Sequence, residues 1–451
     1  MRTTRELAGY VATTGYDDID PDVIERTKDL CLSTLGAAVY GVSMDPTTIL
    51  VDYARQVGGP QEAGVVGAGF KTSAELAAMI SSSAAHNTEL EDVALLEAMP
   101  TVNLVPTFFA LGQALGTPGR DVLAGIVLAF ELAARPSIEL ANRRDGCFER
   151  GFMPGAVLTP VAVAAVAAKM MGLDAEGITN AISLAASCSG GIARQTGSGA
   201  HVIEPGVAAR NGLMVAGFAR AGMTGEPTVL EGPAGFWDAV GGTGDIDFTL
   251  GRGSELRIME VGLKRYPCCY MLQRVIDGVV EIVQTNHLTP DDVELVEVQG
   301  NEYWRRVMRQ DRPATPSEAR FSLPHTVALA LTGDRIFFDA FSVEALDNPR
   351  YRTLWPKVRF APHPDWHGGT DQKDSPVTVL LKDGTEIKKS CVIHKGDPRD
   401  PLTRAEVAER FAYCAESVMS PQRMDAIVAE VATLEKAPSV AAVQDLLTFP
   451  G

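Results

Sequence analysis

Four alanine-rich stretches dominate the first half of this chain: residues 122–135, 157–171, 177–189 and 206–221 each carry small apolar residues at helical spacing. Small side chains let helix axes approach closely, so these stretches are expected to pack side by side in one helical layer. An amphipathic helix is expected ahead of them. Asp20 serves as its N-cap, Pro21 takes its first helical position, and Val23, Ile24, Thr27, Leu30, Cys31 and Leu35 form its apolar face. Thr72 and Glu75 have the spacing of a capping box before Leu76, Ala77 and Ile80. The run Ala63 to Val66 is the one strand signal in this half.

After the glycine cluster at 241–244 the pattern changes. Val293 to Val298 reads as a strand, and Thr378 to Val392 divides around Asp383-Gly384, a dipeptide that favours hairpin turns. Between them, Ser322 to Leu331 is predicted to be helical. From Thr403, with Glu406 completing another capping box, Val407, Phe411 and Cys414 return to helical spacing. The expected fold class is therefore mainly α with an α+β lid. A helical domain over residues 1–260 is completed by C-terminal helices at 399–451, and the smaller α+β domain at 261–398 is inserted between them.

Charge narrows the possible partners. With 57 acidic against 40 basic residues the net charge is -17, and binding to a phosphate backbone would work against that field. Nucleic acid and anionic membrane are not expected as partners. The uncharged stretch from Gly151 to Ala168 falls short of the ~20 residues of a membrane helix and contains Pro154 and Pro160, so it reads as a buried helix. Seven scattered cysteines form no disulfide framework, and the first residues lack a secretory signal, so a cytoplasmic location is expected. Gly67-Ala68-Gly69 does not extend to a dinucleotide fingerprint, and no phosphate-binding loop is present. His363-Pro-Asp-Trp-His367 reads as a loop and not as a metal-binding helical face.

Three segments carry chemistry. In His86-Asn-Thr-Glu89-Leu-Glu91-Asp92, His86 and Glu89 would share a face if the segment were helical, and could act as an acid/base pair; a solvated acidic turn is the alternative. Lys264-Arg265-Tyr266-Pro267 sets two cations and a phenol where an anionic substrate could be held, or where a surface ion-pair patch could lie. Gly197 to Gly206 precedes a helix whose first N–H groups could receive a carboxylate, or is an ordinary connection.

Taken in order, these segments resemble the MmgE/PrpD family over almost the whole chain. The resemblance rests on Leu32-Ser-Thr-Leu-Gly36, Ala84-Ala-His86 through Asp92, Gly206-Val-Ala-Ala-Arg-Asn-Gly212, Gly222-Met-Thr-Gly225 and Leu230-Glu-Gly232. Lys264-Arg-Tyr-Pro267, Ala319-Arg-Phe-Ser322 and Gly396-Asp-Pro398 extend it. It implies a homodimer without required metal or organic cofactor, acting on a small carboxylic acid. The implied reaction is a lyase step of the dehydratase or decarboxylase type, with proton transfer next to a carboxylate; an epimerase or isomerase on the same scaffold is the alternative.

Carried over residue by residue, the resemblance makes Glu89, Asp92 and Lys264 site residues. His86 joins them, Arg265 and Tyr266 flank Lys264, and His325 lies near a position that often carries tyrosine. The chain also departs from the family pattern. Met99 and Met153 stand where two acid/base histidines are expected, His201 where a lysine is expected, and Gln273 and Glu204 where histidines are expected. Thioethers cannot transfer protons. Two expectations follow: a repurposed pocket with His201 as base, Glu89 and His86 as the complementary acid pair and a non-standard substrate, or a catalytically silent paralogue that binds a ligand.

Overall fold

The computed structural model describes residues 3–94, 100–141, 146–147, 149–241, 251, 255–366 and 374–449. Met99 and His367 lie outside the described residues. The chain divides into two compact units. The first comprises Met1–Gln195, Gly199–Val261 and Thr403–Gly451; the second comprises Gly262–Leu402 together with Thr196–Ser198.

The first unit is almost entirely helical, with α1 (Thr4–Thr13), α2 (Pro21–Gly41), α3 (Thr47–Val57), α4 (Ala74–Asn87) and α5 (Pro100–Leu115) leading into α6 (Gly119–Ala141). The central helices α7 (Pro154–Met170), α8 (Ala175–Ala186) and α9 (Gly199–Arg220) follow, then the short α10 (Phe236–Gly241). A two-stranded ribbon of β1 (Ala63–Gly64) and β2 (Lys71–Thr72) interrupts the helices, and β3 (Asp92–Ala94) follows α4. The backbone then passes through β4 (Val261–Leu263) into the second unit.

Two local expectations are modified. Pro21 does open α2, but the Asp20 side chain makes no capping hydrogen bond. The cap of α4 is Ser73, whose hydroxyl accepts from the Leu76 N–H, while the Thr72 hydroxyl donates to Gly58 O. Thr72 is already held by the β1–β2 ribbon, so the next hydroxyl takes the capping position.

α7 has buried residues all round, from Ala156 through Ala168, as a helix enclosed by others must. It packs against α6, α8 and α9, while α4 packs against α2, α5 and α9. Among the described residues no helix is long and apolar enough to cross a membrane. The α4–α9 contact is close because Gly206 has no side chain: a Cβ there would lie 2.2 Å from both Met79 O and Ser83 Oγ.

The chain end returns to this unit as α17 (Arg404–Ala415), α18 (Pro421–Ala432) and α19 (Ala441–Leu447). Thr403 and Glu406 form the expected capping box on α17. That helix packs on α2, where a Cβ on Gly36 would come within 3.0 Å of the Phe411 ring.

The second unit is a four-stranded sheet covered by helices. Its strands are β5 (Val293–Gly300), β6 (Val358–Pro362), β7 (Ser375–Leu381) and β8 (Glu386–Cys391), in the order β6-β5-β7-β8. β5 runs parallel to β6 and antiparallel to β7. The β7–β8 hairpin turns through Asp383-Gly384, with Gly384 at φ 88°. Helix α11 (Tyr270–Asn286) and, after the short α12 (Glu302–Val307) and α13 (Pro316–Ala319), helix α14 (Leu323–Thr332) supply the apolar cover. The turns α15 (Val343–Asp347) and α16 (Pro349–Arg352) lead to β6. Buried Val293, Val296 and Val298 of β5 meet Leu272, Val275, Ile276 and Val279 of α11 in one core.

Candidate active site

The helical unit places two buried imidazoles face to edge. His86 ends α4, and His201 lies in the first turn of α9; their ring centroids are 4.6 Å apart at 79°, and Nε2 is 3.3 Å from Nε2. Gly206 against Met79 and Ser83, with His201 against His86, makes α4 and α9 antiparallel and puts both rings at the same end. The segment expected to precede a helix is itself helical from Gly199, despite Pro205. That earlier start puts His201 and Glu204 on one face.

Each ring is backed by a carboxylate. His201 Nδ1 is 2.9 Å from Glu204 Oε2, and the other oxygen of Glu204 accepts the N–H of Ile192 at 2.9 Å. His86 Nδ1 is 3.6 Å from Glu91 Oε1, within ion-pair range, and both side chains are buried. The network therefore assigns Nδ1–H to His201, and the two Nε2 atoms attract one another only when a proton lies between them.

Helix α4 ends at Asn87, so Glu89 does not reach His86 along a helical face as expected. It adopts a left-handed conformation with φ 52°, and its N–H donates to His86 O at 3.1 Å. Such a conformation costs a glutamate about 1 kcal/mol, and here it turns the backbone so that Glu89, buried, comes beside both histidines.

Asp92 begins β3 and is completely buried. Thr34 donates to Thr101, which in turn donates to Asp92 Oδ1. Burial, opposed by that hydrogen bond and assisted by the charge of Glu91, raises Asp92 to about 7. Two cations, the buried Arg410 and the half-buried Arg26, share this region. Burial lowers Arg410 to about 10, with Cys414, Glu91 and Asp92 opposing the shift, and burial likewise lowers Arg26, opposed by Asp29 and Asp92.

Met153 is the N-cap residue of α7, and its N–H donates to Gly191 O at 3.0 Å. With Val102, Asn103, Ala156 and Pro205 it lines a cavity of about 20 Å³ beside His86 and His201.

The second unit holds the remaining candidates. Lys264 is buried at the start of the Lys264–Pro267 turn. Arg265 lies over the Tyr266 ring and 3.6 Å from Asp277, and the Tyr266 hydroxyl donates to Asp277 at 2.7 Å. Gln273, expected as a substrate contact, is engaged within the turn. Its Oε1 accepts the N–H groups of Arg265 and Tyr266, and its Nε2 donates to the carbonyls of Tyr266 and Cys268, which commits the whole amide to shaping the turn. His325 is fully buried in α14 against Phe341, Tyr351 and Trp355, with Nε2 donating to Ala340 O at 2.8 Å.

Sequence reasoning missed Glu204 as the partner of His201, although its i,i+3 spacing pointed to it once the helix is known to start at Gly199. It also missed Arg26 and Arg410, whose approach to the acidic segment has no local signature.

A buried imidazole pair in the helical unit, with a carboxylate near each outer nitrogen, has the parts of a proton-transfer centre. Residues 5–249 match the MmgE/PrpD N-terminal domain and residues 266–434 the MmgE/PrpD C-terminal domain, and the chain belongs to this family. Cis-aconitate decarboxylase of Aspergillus terreus is 24% identical over 476 residues, covering 99% of this chain and 96% of that protein. Cis-aconitate decarboxylase of Mus musculus is 22% identical, covering 99% and 93%. A 2-methylcitrate dehydratase of Escherichia coli O157:H7 is 25% identical over 290 residues, covering 60% and 58%.

Proposed function

We propose that this protein is a lyase that withdraws a proton next to a carboxylate of a small carboxylic acid, using the histidine pair as its acid/base centre. The 3.3 Å contact between His86 and His201, with Glu204 and Glu91 behind the rings, carries the reading. A base must accept a proton and stabilise the resulting imidazolium. Glu204 supplies that stabilisation for His201 through Nδ1, and His86 can return or relay the proton through Nε2. Glu89 is the complementary acid. Lys264 is the cation that holds a substrate carboxylate, on a turn shaped by Gln273, Tyr266 and Arg265. The names of the relatives, decarboxylases and a dehydratase, support a lyase.

The substrate differs from that of the relatives, because this centre is built from His201 and lined by Met153. Proton withdrawal followed by return, without a leaving group, uses the same residues and is the isomerase form of the reading. The test is proton NMR of the full chain in deuterated water with citrate-like, aconitate-like and amino-dicarboxylate compounds. Product formation or deuterium incorporation that disappears in His201→Ala is the expected result, and elimination products separate lyase from isomerase. Ligand-induced thermal stabilisation without exchange for any compound would overturn the catalytic reading in favour of a binding protein.

A further inference from the structure

We propose that His86, Glu89 and His201 bind one divalent transition-metal ion of the zinc class, against the metal-free expectation that the resemblance implies. One donor atom from each of these three buried residues lies within 4.8 Å of the others. The two imidazole donors are the most telling. Their Nε2 atoms are 3.3 Å apart, and tetrahedral ligation at about 2.0–2.1 Å gives ligand-to-ligand edges of about 3.3–3.4 Å. The two Nε2 atoms already have the separation of such an edge.

The surroundings fit as well. Glu204 at 2.9 Å and Glu91 at 3.6 Å face the two Nδ1 atoms. An outer carboxylate at hydrogen-bond distance, as Glu204 is for His201, orients a ligating imidazole and increases its basicity, and Glu91 adds negative charge near His86. Together with Glu89, these carboxylates supply the negative charge that offsets a dication in a buried place.

Two histidines and one glutamate leave a fourth position. The adjoining cavity of about 20 Å³, beside Asn103 and Met153, has room for about one water, as in zinc sites that keep an open position. His201 stands where the resemblance expects a lysine. An ammonium there would repel a cation, whereas an imidazole ligates one, so this departure creates the site.

The inference goes beyond the proton-transfer reading and concerns the same side chains, so the metal-loaded and metal-free forms are alternatives at this site. Metal and shared proton compete for the same space, so metal uptake releases a proton and weakens as pH falls.

The test uses the full chain stripped with a chelator, titrated with Zn²⁺ against a chromophoric competitor and separately with Co²⁺. One equivalent of zinc per chain and the intense visible absorption of tetrahedral cobalt are expected. Affinity should fall about 10–100-fold in Glu204→Gln, which removes an outer carboxylate, and further in Glu89→Gln and His201→Lys, which remove ligands. Substoichiometric zinc, or unchanged affinity in folded Glu89→Gln and His201→Lys proteins, overturns the proposal. Should the variants fail to fold, zinc-edge X-ray absorption of the loaded wild-type protein decides: two imidazoles in the inner shell support the site, and an all-oxygen shell refutes it. Deuterium exchange by the stripped protein is scored separately, so a failed metal site and a failed proton-transfer centre give different results.

Discussion

Replacing Asp92 with asparagine tests how burial, and not pairing, governs the acidic segment. In the folded protein Asp92 is completely buried and its carboxyl is raised, chiefly by burial, from 3.8 to about 7. In the unfolded chain it titrates near its ordinary value. Between these values the folded state holds a proton that the unfolded state has released, so folding stability falls as pH rises through this window. At 1.36 kcal/mol for each tenfold change, the loss accumulates to about 4 kcal/mol. Asparagine cannot ionise and keeps the Oδ1 acceptor that Thr101 uses. Urea unfolding followed by far-UV circular dichroism should therefore give nearly equal stabilities at about pH 4, with the variant ahead by up to about 4 kcal/mol above about pH 7. Parallel stability curves across this range would refute the assignment of Asp92 as a buried, mostly protonated acid.

Gly206→Ala forces a Cβ to within 2.2 Å of Met79 O and Ser83 Oγ. It should cost about 1–3 kcal/mol in thermal unfolding and separate α4 from α9, abolishing any His201-dependent deuterium exchange. Gln273→Leu removes the acceptor shared by the N–H groups of Arg265 and Tyr266; a loss of about 2–4 kcal/mol in chemical denaturation is expected, and a loss below 1 kcal/mol would show that the turn holds without it. Burial lowers the pKa of His325 below 6.5, only partly offset by its hydrogen bond to Ala340. The unfolded state therefore takes up a proton first as pH falls through about 6.5, and stability is lost on the acid side. His325→Phe should flatten that acid-side loss, leaving the similar but separate contribution of His394, whose pKa burial also lowers.

Much of the local structure was legible in the chain. The alanine-rich periodicity marked α6, α7, α8 and α9, Thr403 and Glu406 marked the start of α17, and Asp383-Gly384 marked the β7–β8 turn. Where reading failed locally, a tertiary contact or a neighbouring element had taken over. Thr72 gave its capping role to Ser73 because the ribbon held it, and α9 begins at Gly199 with Pro205 inside. His86, Glu89 and His201 could be singled out as chemically suggestive residues, whereas Gln273 and His325 looked similar and proved to be committed to internal packing.

By itself, then, the sequence determined the helical class, the inserted strand-rich segment and which side chains were chemically able to move protons. These follow from spacing and residue chemistry over a few turns of chain. Only the tertiary structure decided that His86 meets His201, that Glu204 and Glu91 stand behind them, and that Arg26 and Arg410 come close to the acidic segment. Those relations depend on how closely α4, α9, α2 and α17 approach. That approach is decided by steric fit at positions such as Gly206 and Gly36, between residues far apart in the chain, and leaves no periodic trace in it.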